Sequence, residues 1–260
     1  MRKTASSIIY PLAAFVLMMA GWYAVIEIFK VPSYLLPLPD AVAERIVRDF
    51  GFIAYNAGVT TGITVGGFLL SIVIGVPMAI LIVGSPLIDR AFMPWLILSQ
   101  TFPKIALAPL IAVWFGLGIL PKLLVTFLVA FFPIVISTIV GLRSAEREVL
   151  ELAQALRATR KQMFWYFRLP LALPNIFAGL KVSVAFAVVG AVIAEWVGAS
   201  QGLGYLLLTA NASLDTTLLF AVLFALLIIG VVLYYAVELL EHAVIPWHSV
   251  VRLRDASGSM

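Results

Sequence analysis

The chain has no cysteine and only two histidines among its 260 residues. Without cysteine there is no disulfide framework, no thiol nucleophile and no thiolate metal site. Charge is scarce as well: Asp, Glu, Lys and Arg make up 12% of the residues, half of the roughly 25% usual in a soluble domain. No Gly-x-x-x-x-Gly-Lys-Ser/Thr or His-Glu-x-x-His occurs, so a phosphate-cradling loop and a zincin helix are both missing. Apolar residues take up the space instead. They form 63% of the chain at a mean hydropathy of +1.11, in runs of about twenty, long enough to cross a bilayer as helices. A soluble enzyme, a disordered chain and a β-barrel porin do not fit this pattern. The fold class expected is an all-α polytopic membrane protein, one transmembrane domain over residues 1–260.

Six spans are expected. The first, Ile8 to Phe29, follows Arg2 and Lys3 and exceeds the usual signal-peptide core, with Trp22 and Tyr23 placed as interfacial anchors. Three prolines in Val31 to Pro39 forbid a continuing helix, and Asp40 can cap a short amphipathic helix lying along the interface to about Phe50. The second span, Gly58 to Val83, carries Gly62 and Gly66 at the spacing that lets helix backbones approach closely, and Gly75 with Pro77 is expected to kink it. The third, from Ala91 to about 116, is broken or re-entrant because Pro94, Pro103 and Pro109 interrupt it. The fourth runs from Lys122 to Leu142, the fifth from Asn175 to Val197 and, after a Gly-rich loop to Asp215, the sixth from Thr216 to Leu240.

Basic residues set the orientation. With the N-terminus inside, eleven of the 17 Lys and Arg fall in inner segments: Arg2, Lys3, Arg90, six in residues 143–174, Arg252 and Arg254. Four fall outside: Lys30, Arg45, Arg48 and Lys122. Both termini are therefore expected to be cytoplasmic. The net charge of +4 reports this topology, and no nucleic-acid partner is expected.

The informative segment is the polar stretch 143–174. Val149, Leu152, Ala153 and Leu156 recur at helical spacing, and Thr159 with Gln162 makes a capping box. Two short helices joined by a turn follow, the second stopping near Arg168 because Leu169 precedes Pro170. A solvated, charge-balanced linker is the competing reading.

Glu151-Leu-Ala-Gln-Ala-Leu-Arg157-Ala-Thr159, followed by Arg168-Leu-Pro-Leu-Ala-Leu-Pro174, resembles the signature loop of permease subunits of binding-protein-dependent ABC importers, type I. Leu35-Leu-Pro-Leu-Pro39, Pro103-Lys-Ile-Ala-Leu-Ala-Pro-Leu110 with Trp114-Phe-Gly-Leu-Gly118, and Ala194-Glu-Trp-Val-Gly-Ala-Ser-Gln-Gly-Leu-Gly204 are similar to the nitrate, bicarbonate, taurine, alkanesulfonate and vitamin-precursor branch. The resemblance implies a coupling helix docked on a separate ATPase subunit present in two copies, which carries the ATP and Mg. It also implies a second permease copy, with a homodimer expected, an extracytoplasmic binding protein, and the bacterial inner membrane as location. This chain would bind no cofactor and catalyse nothing itself. Glu151 would meet a basic residue of the ATPase, and Leu152, Ala153 and Leu156 would supply apolar and small contacts. Arg157 stands where the family usually has Gly. Either the turn shifts toward Ala158 and Thr159 or Arg157 stays helical, and Arg157 could add a charge contact to its own ATPase. The cargo implied is a small anion, sulfonate or vitamin precursor.

Charges at membrane depth mark functional candidates. Lys104 and Glu195 are candidates for the path or its gating, against structural roles in satisfying freed carbonyls or tying the Gly198 to Gly204 loop; a Lys104–Glu195 ion pair stays open. Ser99, Gln100 and Thr101, beside the Pro103 break, could line the path or bond neighbouring helices. Lys181 is expected to snorkel to the interface. Glu238, Glu241, His242 and His248 are set aside as metal ligands because Glu241 and His242 diverge on a helix, and the closing Asp255 to Met260 segment reads as disordered. An ion-coupled secondary transporter or channel is the alternative function, weakened by the lack of a second broken segment.

Overall fold

The computed structural model describes residues 2–247, apart from the side chains of residues 2–8, 11 and 147. Expectations for Arg2, Lys3, Arg147, His248, Arg252, Arg254 and the closing segment therefore lie outside the described side chains or residues. Within that range every regular element is helical: α1 Arg2–Phe29, α2 Pro39–Arg48, α3 Phe50–Gly84, α4 Pro86–Thr101, α5 Ala108–Phe115, α6 Ile119–Arg143, α7 Arg147–Ala155, α8 Arg160–Gln162, α9 Leu169–Trp196, α10 Leu203–Ala212 and α11 Thr216–Val244. Five helices are long and apolar enough to cross a membrane. The bent pair formed by α4 and the segment Lys104–Phe115 makes up to six.

Several boundaries differ from those expected. α3 begins at Phe50 rather than Gly58 and stays one helix through Gly75 and Pro77. Its 35 residues span about 52 Å at 1.5 Å per residue, well beyond a hydrocarbon core of about 30 Å. α2 starts with Pro39 in its first turn after Leu38, without a side-chain cap from Asp40, because the fixed φ of proline already suits a first turn. Its buried Val42 joins the cluster that α10 and α11 form through Leu203, Leu218 and Val222. The broken span is as foreseen, with an 89° bend. Only Pro103 breaks it, since Pro94 sits within α4 and Pro109 opens α5. The stretch 198–215 is not all loop: it contains α10, a ten-residue, mostly apolar helix that periodicity alone missed.

α6 is the centre of the bundle, packed between α3 and α9. Backbones meet there at small residues, because hydrocarbon provides no hydrophobic drive between helices and close van der Waals packing must hold them. Gly67 of α3 lies on Thr126, and a Cβ on Gly190 of α9 would stand 3.0 Å from the Thr126 Cα. Ser71 lies on the same stripe of α3, one turn beyond Gly67, and donates its hydroxyl to the Phe127 carbonyl of α6 at 3.1 Å. The small stripe that packs is thus Gly67, Ser71 and Gly75. Of the pair singled out from spacing, Gly66 packs against Leu123 of α6, where a Cβ would stand 2.7 Å from Leu123 Cδ2, whereas Gly62 is exposed with nothing within 4 Å of where a Cβ would lie.

Lys181 does not snorkel. It is buried in α9, with its ammonium in ion pairs with Glu241 and, at 4.0 Å, Glu238 of α11, and 5.7 Å from the Tyr234 ring centroid. Glu238 and Glu241 lie three apart, on one helix face, and that face turns toward α9. Lys181→Met removes the cation from beside buried Glu241, which is expected to cost about 3 to 5 kcal/mol. The measurement is the thermal unfolding midpoint in detergent. Glu238→Gln should lower it much less, and an unchanged midpoint for Lys181→Met would show that the clamp does not hold α9 to α11.

Candidate functional site

The polar segment after α6 builds a protruding helix and a turn. α7 ends in a left-handed residue, and that residue is Arg157, at φ 57°. Its N–H donates to the Gln154 carbonyl at 2.8 Å and the Ala158 N–H to the Ala153 carbonyl at 3.0 Å, the paired bonds of a Schellman ending. Neither expected escape occurs: the turn does not shift, and Arg157 does not stay helical. A side chain in that region costs roughly 1 to 2 kcal/mol, offset here by two satisfied carbonyls at the helix end.

Thr159 then caps α8 in the expected box. Its hydroxyl accepts from the Gln162 N–H at 3.3 Å, and its own N–H donates to Gln162 Oε1 at 2.9 Å. The second helix does not stop at Arg168. A π-turn at Met163–Arg168 carries it into α9, so Arg160–Trp196 forms a continuous helical run. The Leu169 N–H reaches back five residues, to the Phe164 carbonyl. This wider register leads the backbone into Pro170, which has no N–H to contribute to the ladder.

Leu152 and Leu156 are exposed at 59% and 70%, an apolar pair on a polar protrusion. Glu151 and Arg157 are exposed beside them and Ala158 is half-buried. Ala153, expected to offer a small outward contact, is instead fully buried within the chain.

A second constellation lies at the far end of α9. Glu195 is fully buried. Its Oε2 accepts the Gly204 N–H at 2.7 Å, and the Thr60 hydroxyl stands 2.9 and 3.0 Å from its two oxygens. Thr60 Oγ1 also accepts the Leu203 N–H at 2.8 Å, and Asn56 Oδ1 accepts the Gly202 N–H at 2.7 Å. Three N–H groups at the start of α10 are thereby satisfied by side chains, two of them from α3. Gly202, at φ 111°, presses its backbone against the Glu195 carboxylate where no side chain would fit. Sequence reading found Glu195 and missed Asn56 and Thr60, although polar residues four apart in an apolar helix were a usable signal.

Lys104 faces elsewhere. Its ammonium lies 4.5 Å from the Phe132 ring centroid, so Lys104 and Glu195 occupy separate environments and the ion pair is dismissed. With Gln100, Lys104 lines a cleft of about 520 Å³ between the Pro103 break, α6 and α9. Ser99 and Thr101 bond back to their own helix, to the Leu96 and Leu98 carbonyls, both at 2.7 Å. Glu238 and Glu241 hold Lys181, and His242 Nδ1 lies 2.8 Å from the Glu238 carbonyl.

Thr60→Val keeps the side-chain shape but removes the hydroxyl that serves both Glu195 and Leu203. We expect a loss of about 2 to 3 kcal/mol, measured as denaturation midpoint of the purified protein. Thr209→Val, on the exposed face of α10, should shift it negligibly; equal midpoints for both variants would refute the buried network.

Residues 71–246 match the family described as binding-protein-dependent transport system inner membrane component. The chain is 35% identical to the formylaminopyrimidine transport permease protein ThiX of Halalkalibacterium halodurans, over 94% of this chain and 98% of that one. It is 36% identical to the riboflavin transport system permease protein RibX of Chloroflexus aurantiacus, over 90% and 88%, and 29% identical to the taurine transport system permease protein TauC of Escherichia coli, over 89% and 86%. A chain of the MetNI methionine ABC transporter in inward-facing conformations has the same fold, with a TM-score of 0.66 at 22% identity over 76% of this chain and 98% of that one. The chain belongs to the inner-membrane permease subunits of binding-protein-dependent ABC importers.

Proposed function

We propose that this permease couples to a separate ATPase through the segment 143–174 and passes a small organic nutrient along a path beside the Pro103 break. The observation that carries the coupling role is mechanical. Exposed Leu152 and Leu156 sit on a short helix whose Schellman and capping-box turn leads into an uninterrupted run from Arg160 to Trp196. A push on the loop therefore reaches the centre of the bundle through one helix. Two ATPase copies carrying ATP and Mg, a second copy of this permease and an extracytoplasmic binding protein complete the assembly. The basic-residue bias supports cytoplasmic termini in a bacterial inner membrane, and places the Glu195 end of α9 on the outer side. The relatives' names support a small cargo such as an anion, sulfonate or vitamin precursor.

The path candidates divide on their surroundings. Lys104 and Gln100 open into the cleft. Glu195, fully buried and hydrogen-bonded, acts as a latch that seats α10 on α3 and so positions the outer loop. Ser99 and Thr101 serve their own helix.

Reconstituted with its ATPase and binding protein in liposomes, the permease is expected to take up cargo only with ATP. Uptake driven by an ion gradient without the ATPase would overturn the assignment. Leu152→Asp and Leu156→Asp are expected to lower binding-protein-stimulated ATP hydrolysis about tenfold or more, since burying an unpaired carboxylate in an apolar groove costs several kcal/mol, with the unfolding midpoint unchanged. Arg157→Gly relieves about 1 kcal/mol of backbone strain and should raise the midpoint while weakening retention of the ATPase on purification. If Arg157→Gly leaves assembly and coupling intact while Glu151→Ala abolishes them, Arg157 has no docking role.

A further inference from the structure

Two lysines stand at membrane depth in different company. Lys181 has two carboxylates from α11. Lys104 has no carboxylate within 4 Å among the described residues; its ammonium rests on the face of Phe132. An ammonium in that setting is costly unless water or an anion meets it. The cleft into which it opens holds about 520 Å³, within the 300 to 1,000 Å³ typical of small-molecule sites. Its remaining lining is specific in chemistry. Phe102 comes from the backbone break, Phe132 from α6 and Phe186 from α9, so three rings from three elements converge, and Gln100 and Ser137 add hydrogen-bonding groups. Lys104 is the single charged side chain in that lining.

We infer that this cleft binds a small planar organic anion, its ring against the phenylalanines and its one negative group on the Lys104 ammonium. The ring takes the apolar faces that water solvates poorly, and the anion supplies the counter-charge the protein withholds. One cation selects one negative group: a neutral ring leaves the ammonium unmet, and a second negative group finds no partner. Gln100 and Ser137 orient ring substituents. The site rests on the assignment of this cleft to the transport path.

The permease–ATPase complex in nanodiscs of phosphatidylcholine alone is titrated calorimetrically with nicotinate and nicotinamide, which share a ring and differ in charge. Nicotinate is expected to bind about tenfold or more tightly than nicotinamide, the scale of a charge-assisted hydrogen bond. Lys104→Gln should erase the difference and Lys104→Arg should keep it. Equal affinities, no nicotinate binding, or discrimination persisting in Lys104→Gln overturns the inference. Nicotinate binding that disappears when phosphatidylglycerol is added assigns the cleft to a lipid headgroup and also overturns it. ATP hydrolysis stimulated by the binding protein, measured on the same preparation, reads the transport role separately. Stimulation with no discrimination between the probes sinks the anion site alone, and absent stimulation sinks both.

Discussion

In hydrocarbon no water is available to meet a polar group, so every buried charge and every freed backbone N–H must find its partner inside the protein. The structure follows from how that demand is met at three places. At the C-terminal end of α9, Glu195, Thr60 and Asn56 satisfy the first N–H groups of α10. Farther along the same helix, Lys181 finds Glu238 and Glu241 on α11. At the Pro103 break, Lys104 finds only a ring. The first two are closed and hold helices together; the third is open, and openness is what a passing solute requires.

α9 links these places to the polar segment 143–174. The π-turn that carries α8 into Pro170 removes the break a proline would otherwise impose, so the loop and the span form one continuous helical run. It packs on α6, where Gly190 and Gly67 bring two backbones against Thr126. Sliding at glycine contacts meets little steric resistance, whereas the Lys181 clamp resists separation of α9 from α11.

Much of this was legible before any tertiary structure. Runs of twenty apolar residues located the spans, and the three prolines announced a broken one. Capping-box spacing placed Thr159 and Gln162 correctly because such bonds are local, spanning three residues. The misses share a cause. α10 is too short for periodicity to register, Gly66 packs on α6 but Gly62 does not because the contact stripe continues through Gly67 and Ser71, and the carboxylates that hold Lys181 lie nearly sixty residues away. Arg157 is different: the sequence stated the conflict between a side chain and a left-handed turn, but not which would yield.

By itself the sequence determined the family, the all-helical membrane class and the capped turn at Thr159, since these rest on composition, local periodicity and motifs whose parts are near neighbours. Tertiary structure alone decided which charges are paired. Glu195 and Lys104 look alike in the sequence, each a lone ionisable group in an apolar run. One is sealed by residues of α3 and α10 and the other opens to a cleft, because the rotation of each helix about its axis is set by packing against its neighbours, and no local rule specifies that rotation.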